Sequence, residues 1–312
     1  MSDKQVRLLM LLTSLLWSGA FITGKFSVQE FPPFSLTFFR FVFALPFIFA
    51  ILYVKEPKNL FPNAEQWPPL ILLGFVGTFC YHALFFTSLN YTTAINSSLI
   101  GAINPMVTTL LAALFFGERL TPLRILGIFL SFSGVFLFIT NGDLQLISQF
   151  QVNYGDFLML IGVFCFAIYS LLSRRYMKQY HITPFMVTAY TFLICVVISI
   201  PFVIWENPAT YLSITTARGW LSILYMSVFA SVLGYLFQAI AIQRIGAPRT
   251  AVFINLVPIF TIIQSVAILG ESITLIKLMC AAIVITGVYL ATRQVVRVNS
   301  LEISQQDSAS SN

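Results

Sequence analysis

Arg40 and His82 are the residues whose positions most demand a chemical explanation. Each lies inside a long apolar stretch, where an arginine at the centre of a membrane helix costs about 2.5 to 3.5 kcal/mol to insert. At helical rise, Arg40 falls about 9 Å from the start of its stretch and His82 about 10 Å from the end of its own, which puts both at one depth below the same membrane face. Two cation-capable groups at one depth would make a receptor for a carboxylate. The structural alternatives are an arginine that stretches to the interface or bonds backbone carbonyls, and a histidine packed among aromatics. Around this pair, Trp17, Tyr81, Tyr169 and Tyr235 could wall a cavity, and Asn104, Gln238 and Asn255 could give it polar contacts. Aromatics make up 15% of the chain, so most of them face lipid or core. All 11 Asp and Glu fall in loops, tails or the ends of apolar stretches. With no carboxylate in mid-membrane, movement of a solute would be facilitated or exchange-driven, or His82 would be the coupling group.

Other chemistries are missing from the sequence. Neither histidine has a metal-ligand companion at helical spacing, and no Ser/His/Asp or Cys/His constellation can be assembled from the loops. No catalytic residue, metal or cofactor is therefore expected. Gly19 to Lys25 nearly spells a phosphate-binding loop, but Phe26 stands where a hydroxyl should hold magnesium and no strand precedes it.

The elements that must position these residues follow from composition. The chain is 58% hydrophobic and 9% charged over 312 residues, with a mean hydropathy of +0.88. That is far more apolar surface than a soluble core can hide, so the lipid bilayer is its solvent. A hydrocarbon core about 30 Å thick takes roughly 20 helical residues. Ten runs fit: 7–25, 34–54, 68–89, 94–116, 123–140, 156–174, 184–204, 219–241, 248–269 and 274–292. Lys4, Arg7 and the small residues Ser18-Gly19-Ala20 imitate a secretory signal, but the apolar pattern runs on to Lys25, long enough to span. Cys80, Cys165, Cys195 and Cys280 all fall within spans, where free thiols pack well and disulfides are not expected.

Basic residues set the orientation. With a cytoplasmic N-terminus, the opposite side carries only Lys25, Arg218 and Lys277; every other Lys and Arg except Arg40 is cytoplasmic. Both termini are then cytoplasmic, and the net charge of +6 reflects topology rather than nucleic-acid binding.

One pattern organises the whole. Residues 94–137 slide onto 247–290 without a gap, matching Pro105 with Pro258, Thr108 with Thr261, Gly117 with Gly270, Glu118 with Glu271 and Gly134 with Gly287. A biased apolar composition seldom aligns Pro, Gly and Glu. The earlier spans correspond more loosely, with Trp17–Lys25 over Phe166–Arg174 and His82 over Tyr235. The fold class is an all-α integral membrane protein of ten transmembrane helices in two five-helix repeats. Because five is odd, the second repeat enters the membrane inverted, an arrangement suited to alternating access. The repeats occupy 1–141 and 154–293, and 294–312, rich in Ser and Gln, form a disordered cytoplasmic tail. Pro105 and Pro258 lie about 15 Å into their helices and are expected to kink them at a hinge. Glu118 and Glu271, each beside a Gly at a helix end, are expected to be structural, capping or turning the helix that follows. Ser97 with Gly101, and Ser98 with Ala102, form a small-residue face for helix packing.

At this point the sequence resembles the EamA-type transporters of the drug/metabolite transporter superfamily, over nearly its whole length. The likeness rests on Leu16-Trp17-Ser18-Gly19-Ala20-Phe21, Phe39-Arg40-Phe41, the two Pro to Gly-Glu segments, and Gly134-Val135 with Gly287-Val288. The resemblance implies ten spans in two inverted EamA repeats around a central cavity. It also implies a multi-pass exporter or exchanger of small metabolites, amino acids among them, in the bacterial inner membrane. Phe166 departs from the tryptophan often found at its position, which weakens transfer of aromatic contacts there. A small-molecule substrate and the bilayer are the implied partners; the oligomeric state is open, a monomer included. The rival readings are an integral-membrane enzyme acting on lipid and a membrane scaffold.

Overall fold

The computed structural model describes residues 3–117, 120–139, 153–245, 250 and 253–291. Glu118 and the tail from residue 294 lie outside the described residues. Among those described there are helices and no strands. Seven helices are long and apolar enough to cross a membrane: α1 (Lys4–Ser27), α2 (Pro33–Lys55), α3 (Ala64–Tyr91), α4 (Ala94–Phe115), α6 (Tyr154–Gln179), α7 (Pro184–Trp205) and α8 (Ala217–Ile245). Three shorter apolar helices complete the set: α5 (Pro122–Phe138), α9 (Leu256–Leu269) and α10 (Leu275–Ala291). Of the three, α10 abuts residues that are not described.

Local chemistry explains the boundaries. Pro33 opens α2 and Pro184 opens α7, where a missing N–H costs nothing. Thr93 and Thr183 cap α4 and α7, accepting from the amides of Asn96 at 3.0 Å and Met186 at 3.1 Å. Gly117 and Gly270 end α4 and α9 with φ of +66° at both, a left-handed conformation that side-chain-bearing residues avoid. The repeated Gly of the Gly-Glu echo is thus a helix stop written once per repeat.

Packing shows the two-fold relation. Helix α2 pairs with α7, and α4 with α9. Further contacts between the repeats come in exchanged pairs: α3 with α6 and α8 with α1, α4 with α6 and α9 with α1, α3 with α7 and α8 with α2. Adding five to each first-repeat number and subtracting five from each second-repeat number converts one member of a pair into the other. Two π-helical segments obey the same rule, Gly74–Cys80 within α3 and Met226–Leu233 within α8. At the α5–α10 contact, a Cβ on Gly127 would lie 2.3 Å from the Ala291 amide nitrogen and 2.6 Å from the Gly287 carbonyl oxygen. The two backbones touch there only because both positions are glycine.

The prolines depart from expectation. Rather than kinks in continuous helices, α4 and α9 carry breaks: a turn at Ala102–Ile103 in one and at Asn255 in the other. Pro105 sits in the first turn of the segment that restarts at Asn104, and Pro258 near the start of the segment that restarts at Leu256. A residue without an N–H is tolerated in a first helical turn, so the proline marks a restart.

Carboxylates tie the repeats together. Glu206, after α7, accepts from the Phe34 amide at 3.0 Å and the Ser35 amide at 2.7 Å, capping α2. Glu56, after α2, accepts from the hydroxyl of Thr183, the cap of α7. The α2–α7 pair is therefore clasped at both ends by residues in corresponding places.

Candidate functional site

A cavity of about 670 Å³ of empty space, open mouth included, lies between the repeats. Helices α1, α2, α3 and α4 of the first repeat and α6, α8 and α9 of the second all contribute to its wall. The apolar part is an aromatic cluster. Trp17 meets Phe166 edge-on at 6.2 Å and Tyr235 at 5.7 Å, and Tyr81 lies 4.8 Å from Phe166. Trp17 is fixed by its indole N–H, which donates to the Ala230 carbonyl in the π segment of α8 at 2.9 Å.

One polar part of the wall is built around Arg40 and His82. Arg40 is 3% exposed, so it does not reach for the interface. Its Nε donates to Ser231 Oγ at 2.8 Å, again in the π segment of α8, and it forms no ion pair among the described residues. The guanidinium carbon lies 5.6 Å from the Phe41 ring centre and 5.8 Å from that of Phe86. His82 is buried, with Nδ1 2.7 Å from the Thr78 carbonyl and Nε2 3.4 Å from the Tyr235 hydroxyl. A carbonyl only accepts, so Nδ1 carries hydrogen and a neutral ring would take the Tyr235 hydrogen on Nε2. The π segment of α3 ends two residues before His82, and that of α8 ends two residues before Tyr235.

Of the residues singled out from sequence, Trp17, Arg40, Tyr81, His82, Asn104, Tyr235 and Pro258 line this cavity together. Tyr169 is buried behind it, stacked on Phe166 at 5.6 Å. Gln238 is buried one turn beyond Tyr235, Pro105 is buried at the α4 break, and Asn255 is buried at the α9 break; none of the three is in the wall. Phe166, discounted for not being tryptophan, is central to the aromatic cluster. Ser98, Gly101 and Ala102, expected on a packing face, also line the cavity, whereas Ser97 packs near Ser88. Their spacing from Asn104 was the available signal: Gly101 lies one turn before it and Ser98 two. Glu271 caps a helix, but not the one that follows it. Its carboxylate accepts from the Ala94 amide at 2.8 Å and the Ile95 amide at 3.1 Å, at the start of α4 in the other repeat. Its position in space, not in sequence, sets its partner. Among the described residues no group of three or more His, Cys, Asp or Glu could hold a metal ion.

The model of the EamA-like transporter family matches residues 6–140 and again 153–293, one copy per structural repeat. The chain belongs to the EamA-like transporter family. It is a multi-pass membrane protein. An uncharacterized transporter of Bacillus subtilis (strain 168), YyaM, is 36% identical over 302 residues, covering 96% of this chain and 97% of that one. An uncharacterized transporter of Archaeoglobus fulgidus is 34% identical over 295 residues, covering 93% and 98% respectively. A protein of Escherichia coli (strain K12) named "Probable amino-acid metabolite efflux pump" is 27% identical over 309 residues, covering 94% of this chain and 98% of its own. A crystal structure 19% identical in sequence superposes with a TM-score of 0.69 over 95% of this chain, sharing its fold. In this EamA-like chain, then, the cavity lies at the meeting of the two family repeats.

Proposed function

We propose that this protein is a secondary transporter that moves a small zwitterion or carboxylate, such as an amino acid or a close metabolite. It works by alternating access through the central cavity, as an exporter or exchanger in a bacterial inner membrane with both termini cytoplasmic. The observation that carries this reading is Arg40: a buried guanidinium in a cavity wall, held by one neutral hydroxyl and with no ion pair among the described residues. A desolvated charge of that kind is stabilised by an anion that enters and leaves with the transport cycle. The relatives named as transporters, and the efflux pump among them, support the solute class and the outward direction. The preponderance of Lys and Arg on one side supports the orientation.

Counterflow in proteoliposomes, with a panel of amino acids and their amides, tests the reading. The wild type is expected to exchange one or more acids and to discriminate against the matching amides, and Arg40→Ala to lose that discrimination by roughly tenfold or more. Equal handling of acid and amide by the wild type would make Arg40 architectural. Turnover of a lipid with no solute movement would replace the transporter by an enzyme.

A further inference from the structure

The cavity has a second polar pole, at the breaks in α4 and α9. In a helix the carbonyl of one residue accepts from the amide four residues on, and a proline at that place has no hydrogen to give. Pro105 therefore leaves the carbonyl of Gly101 without its helical donor, and Pro258 does the same for Ile254. Gly101 and Ile254 both line the cavity. Around the first break, the amides of Ala102, Ile103, Met106 and Val107 bond to the carbonyls of Ser98, Leu99, Ile100 and Ile103; none of these bonds reaches Gly101. The helical segment Ala94–Gly101 also ends here, bringing the negative end of its dipole to the cavity.

An amide side chain adds to this pole. Asn104 lines the cavity and gives its Nδ2 hydrogen to the Val163 carbonyl at 3.2 Å, leaving Oδ1 with no hydrogen-bond donor among the described residues. Asn255, 5% exposed, forms the α9 break itself beside the wall residue Ile254; its Oδ1 is buried without a partner, outside the wall. Buried acceptors without donors are rare and costly. Helix α4 packs against α9, so the two breaks belong to one region of the molecule. The Gly101 and Ile254 carbonyls and the Asn104 amide are neutral oxygens, and no Asp or Glu lines the cavity. That chemistry suits a singly charged N–H donor better than a divalent metal ion.

We propose that the paired proline breaks form the seat for a primary ammonium group of the substrate, with the carbonyls of Gly101 and Ile254 and the amide oxygen of Asn104 as acceptors. This deepens, and rests on, the transport reading above: Arg40 takes the carboxylate and the breaks take the ammonium, so the cargo is a zwitterion and not a simple carboxylic acid.

The test uses the full chain in proteoliposomes and compares each exchanged amino acid with its deaminated carboxylic acid. Pro105→Ala restores an N–H that can occupy the Gly101 carbonyl, and Pro258→Ala does the same for the Ile254 carbonyl. The wild type is expected to prefer the amino acid roughly tenfold or more. Each variant is expected to lose several-fold of that preference, with affinity for the deaminated acid unchanged. A preference untouched by both variants, or both compounds weakening together, would overturn the seat while leaving the transporter standing. Exchange that depends on sodium, with no preference for the amino acid, would assign the acceptors to an alkali ion instead. If no amino acid exchanges at all, the transport reading fails and the seat goes with it.

Discussion

Arg40 does not stand alone at its depth; Ser231 holds it. That hydroxyl lies in the π segment of α8, so the cation contributed by the first repeat is oriented by the second. Ser231→Ala removes one hydrogen bond to a charged group, a loss of about 1.5 to 3 kcal/mol in the interaction. We expect the variant to fold and to keep its amide affinity while its preference for the acid falls roughly tenfold, and Ser231→Thr to restore most of it. Equal losses for acid and amide would mean that Ser231 serves packing only. At this scale the sequence was informative where residue type is rare. An arginine or histidine inside an apolar span announces itself, and Arg40 and His82 do share one cavity wall. The wall places of Phe166 and of Phe85, which also lines the cavity, were not legible, because an aromatic residue facing a cavity is the same in type as one facing a neighbour helix.

At the scale of elements, the second repeat fixes where helices of the first begin. Glu271 accepts two amides at the start of α4 and the hydroxyl of Ser265 at 3.0 Å. Losing a cap of this kind costs about 0.5 to 2 kcal/mol. Glu271→Ala is expected to lower the melting temperature of the detergent-purified protein, and Glu271→Gln, which keeps one acceptor oxygen, to lower it less. An unchanged melting temperature in both would show that water replaces the carboxylate. The α5–α10 contact is stricter. A side chain at Gly127 would meet backbone atoms of Ala291 and Gly287, which cannot rotate away. Gly127→Leu is expected to destabilise by about 1 to 3 kcal/mol or more, the range for overpacking, read as loss of the folded peak in size-exclusion chromatography. Normal folding of that variant would mean the two helices are free to part. The helices were legible in the sequence because their length and hydropathy are set by the bilayer. The breaks were not: proline declares a missing donor, but whether the chain bends or restarts depends on neighbours elsewhere in the sequence.

For the whole molecule, the gap-free match of residues 94–137 to 247–290 foretold the relation that the exchanged helix contacts display. Corresponding Gly, Pro and Glu positions carry it, since each punctuates a helix in a way that few other residues can. The match could not show that Glu206 and Glu56 clasp α2 and α7 to each other, because those partners are far apart in sequence. Reporter fusions at the N-terminus and after residue 291 are expected to lie on the same, cytoplasmic, face; opposite faces would rule out two repeats of equal span number.

The central claim is that one cavity between oppositely inserted repeats is opened to each side of the membrane in turn. A single thiol in its wall, Ser98→Cys in a chain whose four native cysteines are replaced by Ser or Ala, tests this most directly with a membrane-impermeant thiol reagent on sealed vesicles of both orientations. The account predicts reaction from either face, and that reaction from one face uses up the site for the other. Reaction from one face alone, in both vesicle orientations and with or without an exchanged solute, would contradict it.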